Sequence, residues 1–167
     1  MSDVNSADEA LAHCHIMSLL SLYYHALEGG DFTTLAEHVM APDAVWDVVQ
    51  HGPSGSHRYV SEGRDTVIAW FAKLMSPGGI SRGAVRQYLS THVITVNGDT
   101  AHSVSNLQAV KLDTMSLLAS GKAEADHIKT DRGWRIRRFR LDERMNDASM
   151  GAGAVLAAAG DPSSTAE

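Results

Sequence analysis

Nine histidines give this chain many side chains that could carry protons or bind a metal. None of them forms a His-x-x-x-His pair or joins a cysteine at metal-site spacing, so we expect no bound metal. His127 has the most informative surroundings, because Gly121, Ala123 and Ala125 precede it at every second position. On a strand these residues share one face, which predicts space for a ligand beside an imidazole. The alternative is a half-exposed strand histidine with no chemical role.

Glu28 is the strongest candidate for general acid–base chemistry. It follows an apolar helical face with three- and four-residue spacing, made of Ala12, Ile16, Leu19, Leu20, Tyr23 and Leu27. In the last turn of that helix the negative end of the dipole disfavours another negative charge, so a carboxyl group there suits proton transfer near neutral pH. Tyr23, about 140° away around the helix, is predicted to offer its hydroxyl to a substrate oxygen. The alternatives are a solvated glutamate and a core tyrosine.

Three helices are predicted in the first half of the chain. The helix that carries Glu28 is expected to end at the Gly-Gly pair 29–30, and Asp31 is expected to cap a short second helix. Apolar residues at 67–74 predict a third helix, which ends at the Pro-Gly-Gly sequence 77–79.

Strand patterns dominate the rest of the chain. Residues 44–49 predict a strand, followed by a Gly-, Pro- and Ser-rich loop at 51–58. Two hairpins are then expected, with strands at 89–96 and 100–112 around an Asn-Gly-Asp turn, and at 116–129 and 134–141. Helices followed by antiparallel strands predict an α+β fold with helices on one face of a curved sheet. We expect one domain over residues 1–146 and a flexible Ala- and Gly-rich tail over 147–167.

Composition narrows the class of protein. A chain of 167 residues suits one domain, and a formal charge of -6 with a pI near 5.8 argues against nucleic acid as a partner. The single cysteine, Cys14, suits a reducing cytoplasm, and no apolar run approaches the ~20 residues of a membrane span. No glycine fingerprint for nucleotides is present. We therefore expect a cytoplasmic protein that needs no cofactor and binds neither nucleic acid nor membrane.

Four segments, taken in order, resemble the SnoaL-like branch of the nuclear transport factor two-like superfamily. They are YYHALEGGDF at 23–32, APDAVWD at 41–47, VNGDTA at 96–101 and TDRGWRI at 130–136. The resemblance covers roughly residues 8–142. It implies a cone-shaped α+β barrel, in which a curved mixed sheet wraps around the N-terminal helices and encloses a pocket, and it implies a homodimer.

The resemblance also suggests where an acid–base pair would lie. Scytalone dehydratase and the dehydrochlorinase-type enzymes of this superfamily use an Asp at the end of the first helix and a His on the first long strand. Matched by position, the Asp site falls on Glu28 and the His site on Gln87. Glu28 retains a titratable carboxyl group, whereas Gln87 offers only hydrogen bonds. The pair is therefore altered in this chain.

Two functions are compatible with these residues. The first is a cofactor-independent dehydratase, isomerase or cyclase that acts on a small, largely apolar, oxygenated metabolite such as a polyketide, terpenoid or steroid. Glu28 would shuttle the proton and Gln87 would polarise an oxygen, helped by Tyr23 or His127. Tyr88 reaches the pocket only if a bulge interrupts its strand. The expected lining is Trp46, Val48, Tyr88, Ala123 and Ala125. The second function is a non-catalytic small-molecule-binding or assembly module that has lost the pair.

Overall fold

The computed structural model describes residues 7–52, 55–75 and 84–146. Within them the helices pack on one face of a six-stranded sheet, which confirms the predicted α+β class. The elements are α1 (Ala7–Gly29), α2 (Phe32–Thr34), a wide π-helical turn (Leu35–Val39), β1 (Met40–Gly52), β2 (Gly55–Glu62), α3 (Arg64–Leu74), β3 (Val85–Asn97), β4 (Thr100–Lys111), β5 (Leu117–Thr130) and β6 (Gly133–Met145).

The end of α1 follows the sequence prediction. Gly30 adopts a positive φ of 67°, which a residue without a side chain accepts readily, and its N–H donates to the Leu27 carbonyl at 3.1 Å. The Asp31 carboxylate then accepts a hydrogen bond from the Thr34 N–H at 3.0 Å and caps α2. The reversal between α1 and α2 fixes where the C-terminal turn of α1, including Glu28, meets the sheet.

The strands lie in the order β2-β1-β6-β5-β4-β3. Neighbours pair antiparallel except β1 and β6, which are parallel, so the sheet is mixed. The sheet curves but does not close into a barrel, because β2 and β3 remain as its two edges. Gly98, with φ of 59°, forms the predicted tight turn between β3 and β4.

The loop predicted at 51–58 is wrong. Gly52 pairs with Gly55 and His51 pairs with Ser56, so β1 and β2 form an antiparallel pair that includes most of the predicted loop. The Gly-, Pro- and Ser-rich composition marked a turn, and backbone pairing extends the strands on both sides of it. The predicted helix end at 77–79 and the predicted tail at 147–167 lie outside the described residues.

Alternation along the strands divides the sheet into two faces. The inner face, which packs on the helices, carries Trp46, Phe139, Ala125 and Leu107, each at most 2% exposed. The outer face carries charged side chains, among them a buried carboxylate at Asp47. The inner face is therefore the one that can shape an apolar site against α1.

Candidate functional site

A groove of about 390 Å³ lies between α1 and β3, and we call it the α1–β3 groove. Leu20, Tyr24 and Glu28 recur at four-residue intervals and so stack along one side of α1. The groove is lined by Leu20, Ser21, Tyr24, His25, Glu28, Arg86, Gln87, Tyr88, Leu89 and His92. It combines an apolar wall with a carboxylate, a guanidinium, an amide, two phenols and two imidazoles.

Glu28 is held against the edge of the sheet. Its Oε1 accepts a hydrogen bond from the backbone N–H of Gln87 at 2.7 Å, and the Arg86 Nε lies 3.6 Å from its Oε2. The Glu28 side chain is 19% exposed, so it is neither in bulk solvent nor fully enclosed. Because β3 is an edge strand, it has a neighbouring strand on one side only. The Glu28 carboxylate therefore gives the Gln87 N–H an acceptor on the open side of the sheet. Glu28 is thus both a fixed carboxylate and an anchor for α1.

Gln87 and Tyr88 both line the groove although they are consecutive in β3. The register with β4 is regular from Val85 to Ser90, so no bulge turns Tyr88 inward. Tyr88 lines the groove without such a bulge, and the residue remains 46% exposed. The hydrogen bond between Glu28 and Gln87 uses the backbone N–H of Gln87, so the side-chain amide of Gln87 is a separate polar group of the groove.

His92 joins the groove through an irregularity further along β3. The register shifts between Ser90 and Val93, and Thr91 adopts φ of 53°, a strained value for a β-branched residue. His92 then faces the sheet interior, where its Nδ1 lies 2.7 Å from the Ser105 Oγ. Burial lowers the pKa of His92, which favours the neutral imidazole.

Tyr23 and Trp46, both predicted site residues, lie in an aromatic cluster behind the groove. The Trp46 Nε1–H donates to the Tyr23 hydroxyl at 3.2 Å, and the Trp46 ring stacks on Phe139 with centroids 5.1 Å apart. Tyr23 is 3% exposed, and burial raises its pKa above the ordinary value. Val48 continues the same buried face of β1. These side chains belong to the packed core, and they do not line the α1–β3 groove.

Ala123, Ala125 and His127 share the inner face of β5, as their spacing predicted, but none of the three lines the α1–β3 groove. The two alanines are 4% and 2% exposed and oppose Leu141 and Phe139 on β6. His127 is 2% exposed, and its Nε2 lies 2.8 Å from the Ser103 Oγ. Burial lowers the pKa of His127 to about 4, and the nearby Asp126 carboxylate offsets only part of this effect. His127 is therefore a neutral, enclosed imidazole at neutral pH.

Sequence reasoning missed a buried polar pair on the inner face. Glu143 is 5% exposed, and its Oε1 accepts a hydrogen bond from the Gln50 Nε2 at 2.5 Å. Burial raises the pKa of Glu143, and the bond from Gln50 only partly offsets this. A signal was present in the sequence, because Glu143 occupies an inward position in the alternation of Phe139 and Leu141.

Two structural features bear on partners of the described chain. Over residues 7–52, 55–75 and 84–146, no group of three or more His, Cys, Asp or Glu side chains is placed to hold a metal ion. Among the described helices, none is long and apolar enough to cross a membrane.

Solved structures similar to this chain share its fold at low sequence identity. A protein of unknown function from Mycobacterium tuberculosis is 21% identical, with a TM-score of 0.69 over 89% of this chain and 94% of that one. A candidate dehydratase of the NTF2-like family from Streptomyces avermitilis is 21% identical, with a TM-score of 0.61 over 81% and 97%. The β subunit of a candidate aromatic-ring-hydroxylating dioxygenase from Novosphingobium aromaticivorans is 12% identical, with a TM-score of 0.65 over 83% and 92%.

No curated protein matches the sequence. The family model of the SnoaL-like domain, however, matches residues 8–140, from the second residue of α1 into β6. This range includes Glu28, Gln87 and the whole α1–β3 groove. The chain belongs to the SnoaL-like domain family.

Proposed function

We propose that this protein is a cofactor-independent acid–base enzyme, a dehydratase, isomerase or cyclase, whose substrate binds in the α1–β3 groove. The observation that carries the proposal is the Glu28 carboxylate, which is fixed at the groove by the Gln87 N–H at 2.7 Å and is still partly exposed. A general base needs this combination of fixed position and access. The similarity in fold to a candidate dehydratase is consistent with such chemistry.

Each polar group of the groove has a distinct role in the proposal. Glu28 takes a proton from a substrate carbon and returns it to an oxygen, in a dehydration, or to another carbon, in an isomerisation. The side-chain amide of Gln87 donates a hydrogen bond to the substrate oxygen on which charge develops. His92, neutral because of its burial, supplies a second hydrogen-bonding group on the same strand. No step requires a redox centre or a bound nucleotide.

The groove also suggests the class of substrate. Its volume of about 390 Å³ is at the lower end of the range for small-molecule sites. Leu20, Leu89 and the ring of Tyr24 supply apolar surface. The polar groups come from both elements, with Glu28 on α1 and Gln87 and His92 on β3. We propose a small, largely apolar metabolite with oxygen substituents, of the polyketide, terpenoid or steroid kind.

The test compares turnover and binding in matched variants, after a screen of cyclic ketones and alcohols has found a substrate. Glu28→Gln keeps the oxygen that accepts from Gln87 but cannot carry a proton, so kcat should fall by roughly 10²–10⁴-fold while affinity changes little. Glu37→Gln, at an exposed position outside the groove, is the control. Gln87→Ala deletes one hydrogen bond to the substrate and should cost only about 1–3 kcal/mol. Wild-type turnover in Glu28→Gln would contradict the proposal.

A non-catalytic binding or assembly module is the second candidate, and one observation favours it. The bond between Glu28 and the β3 edge anchors α1 whether or not a reaction occurs. The similarity in fold to the β subunit of a candidate dioxygenase is compatible with an assembly role, and a homodimer would be one such assembly. In this case Glu28→Gln and wild type bind ligands equally, and neither turns over any compound of the screen.

A further inference from the structure

Two consecutive tyrosines in α1 are both buried but differ in their hydrogen bonding. The Tyr23 hydroxyl accepts a hydrogen bond from Trp46 and lies behind the groove. Tyr24 is 6% exposed and lines the groove, yet in the described part of the chain its hydroxyl has no hydrogen-bond partner. A buried hydroxyl without a partner costs roughly 1–3 kcal/mol, so such groups are rare unless something else satisfies them.

We infer that the Tyr24 hydroxyl is the hydrogen-bond donor that binds an uncharged oxygen atom of the ligand in the α1–β3 groove. The inference rests on the proposed function only in requiring that a small molecule occupies this groove. Tyr24 stands one helical turn before Glu28 on the same side of α1. An oxygen bound by Tyr24 would therefore place neighbouring carbons within the reach of the Glu28 carboxylate.

The surroundings of Tyr24 favour an uncharged ligand group over an anion. Burial raises the pKa of Tyr24 well above its ordinary value, and the neighbouring Tyr23, Glu143 and Glu28 add to this, so the hydroxyl keeps its proton and donates. Glu28 also opposes a second negative charge in the groove, and its Arg86 partner is 53% exposed and therefore screened by water. A carbonyl or ether oxygen accepts the hydrogen bond without adding charge. The ligand class is therefore a ketone, aldehyde, ester or ether on an apolar frame.

The experiment measures binding of three ligands with one frame and different oxygen groups. Amide chemical shifts in NMR spectra follow titrations of 2-acetylnaphthalene, 2-ethylnaphthalene and 2-naphthoate into the full chain. Wild type should bind the ketone about fivefold more tightly than the hydrocarbon, as expected for one net hydrogen bond, and more tightly than the carboxylate. In Tyr24→Phe the ketone and hydrocarbon should bind equally. The carbonyl stretch of the bound, ¹³C-labelled ketone should lie lower in wild type than in Tyr24→Phe.

Tyr23→Phe is the matched control, because it removes the neighbouring phenol from the same helix. Tyr23→Phe should retain the ketone preference and the lowered carbonyl stretch. If altered packing of α1 caused the loss in Tyr24→Phe, Tyr23→Phe should lose them too. Equal binding of ketone and hydrocarbon by wild type, tighter binding of the carboxylate, or an unchanged Tyr24→Phe would each overturn the inference. The inference would also be overturned if wild type bound none of the three ligands, or if Tyr23→Phe rather than Tyr24→Phe lost the preference for the ketone. Because no turnover is measured, these results are independent of the fate of Glu28→Gln.

Discussion

Protonation of His127 should weaken the fold as the pH falls, and the structure gives the reason. The imidazole is 2% exposed, and its Nε2 faces the Ser103 Oγ at 2.8 Å. In the described part of the chain its Nδ1 is buried without a hydrogen-bond partner. An unpartnered lone pair is less costly than an unpartnered N–H, so we assign the proton of the neutral ring to Nε2. A second proton at Nδ1 would create a buried charge and a donor with no acceptor.

The size of the effect follows from the two pKa values of His127. In the unfolded chain the pKa is near 6.5, whereas burial lowers it to about 4 in the folded protein. The unfolded state thus binds the proton first as pH falls, so this contribution to stability is complete above about pH 6.5 and is lost between about 6.5 and 4. At 1.36 kcal/mol for each pH unit the loss amounts to roughly 3 kcal/mol.

Urea unfolding of wild type and His127→Gln between pH 7.5 and about 4 measures this term. Glutamine retains a polar group near Ser103 but does not titrate in this range, so the difference between the two curves isolates His127. Wild type should lose about 3 kcal/mol relative to His127→Gln over this interval. His15→Gln, at an exposed position of α1, is the control for removal of a histidine. A difference between the curves that stays constant with pH would refute the reasoning.

Two further substitutions test a close backbone contact and a buried ion pair of the sheet. Gly121→Ala should destabilise the fold by more than about 2 kcal/mol in urea unfolding, because its Cβ would collide with the backbone of Asp142 and Glu143, whereas Gly29→Ala meets nothing within 4 Å. Arg58→Met should cost about 1–3 kcal/mol at pH 7, because the Asp47 carboxylate is 1% exposed and accepts bonds of 2.8 and 2.9 Å from Arg58. Arg58 lowers the pKa of Asp47, so wild type loses the stabilisation from this ion pair as pH falls below about 4 and Asp47 becomes protonated. The stability difference between wild type and Arg58→Met should therefore shrink in that range.

Local signals were sufficient to predict most of the elements. The Gly30 and Asp31 boundary and the Asn97-Gly98 turn depend on backbone conformations that few residues accept, so their sequence is directly informative. The parallel pairing of β1 with β6 joins strands about ninety residues apart, and no local sequence signal in either strand indicates which strand it pairs with. The β1–β2 pairing was missed because turn-forming residues indicate that the chain reverses but not how far the flanking strands extend.

The site was predictable in part. The resemblance placed Glu28 and Gln87 together, and the structure brings both to one groove with a direct bond between them. Tyr23 fitted the apolar spacing of α1 better than Tyr24, but which tyrosine meets the groove depends on the side from which β3 approaches the helix. His92 could not be placed from alternation, because the irregularity between Ser90 and Val93 changes which side of β3 it faces.

The double role of Glu28 constrains how it can act in a reaction. Its Oε1 is committed to the Gln87 N–H at 2.7 Å, and that bond holds the end of α1 on the edge strand. The oxygen left for a substrate in the proposed reaction is therefore Oε2, which lies 3.6 Å from the Arg86 Nε in a partly exposed ion pair. Proton transfer through Oε2 leaves the anchor intact, so the carboxylate can change charge without releasing the helix. In the proposed reaction, a substrate carbon would therefore approach Glu28 at Oε2, within the α1–β3 groove.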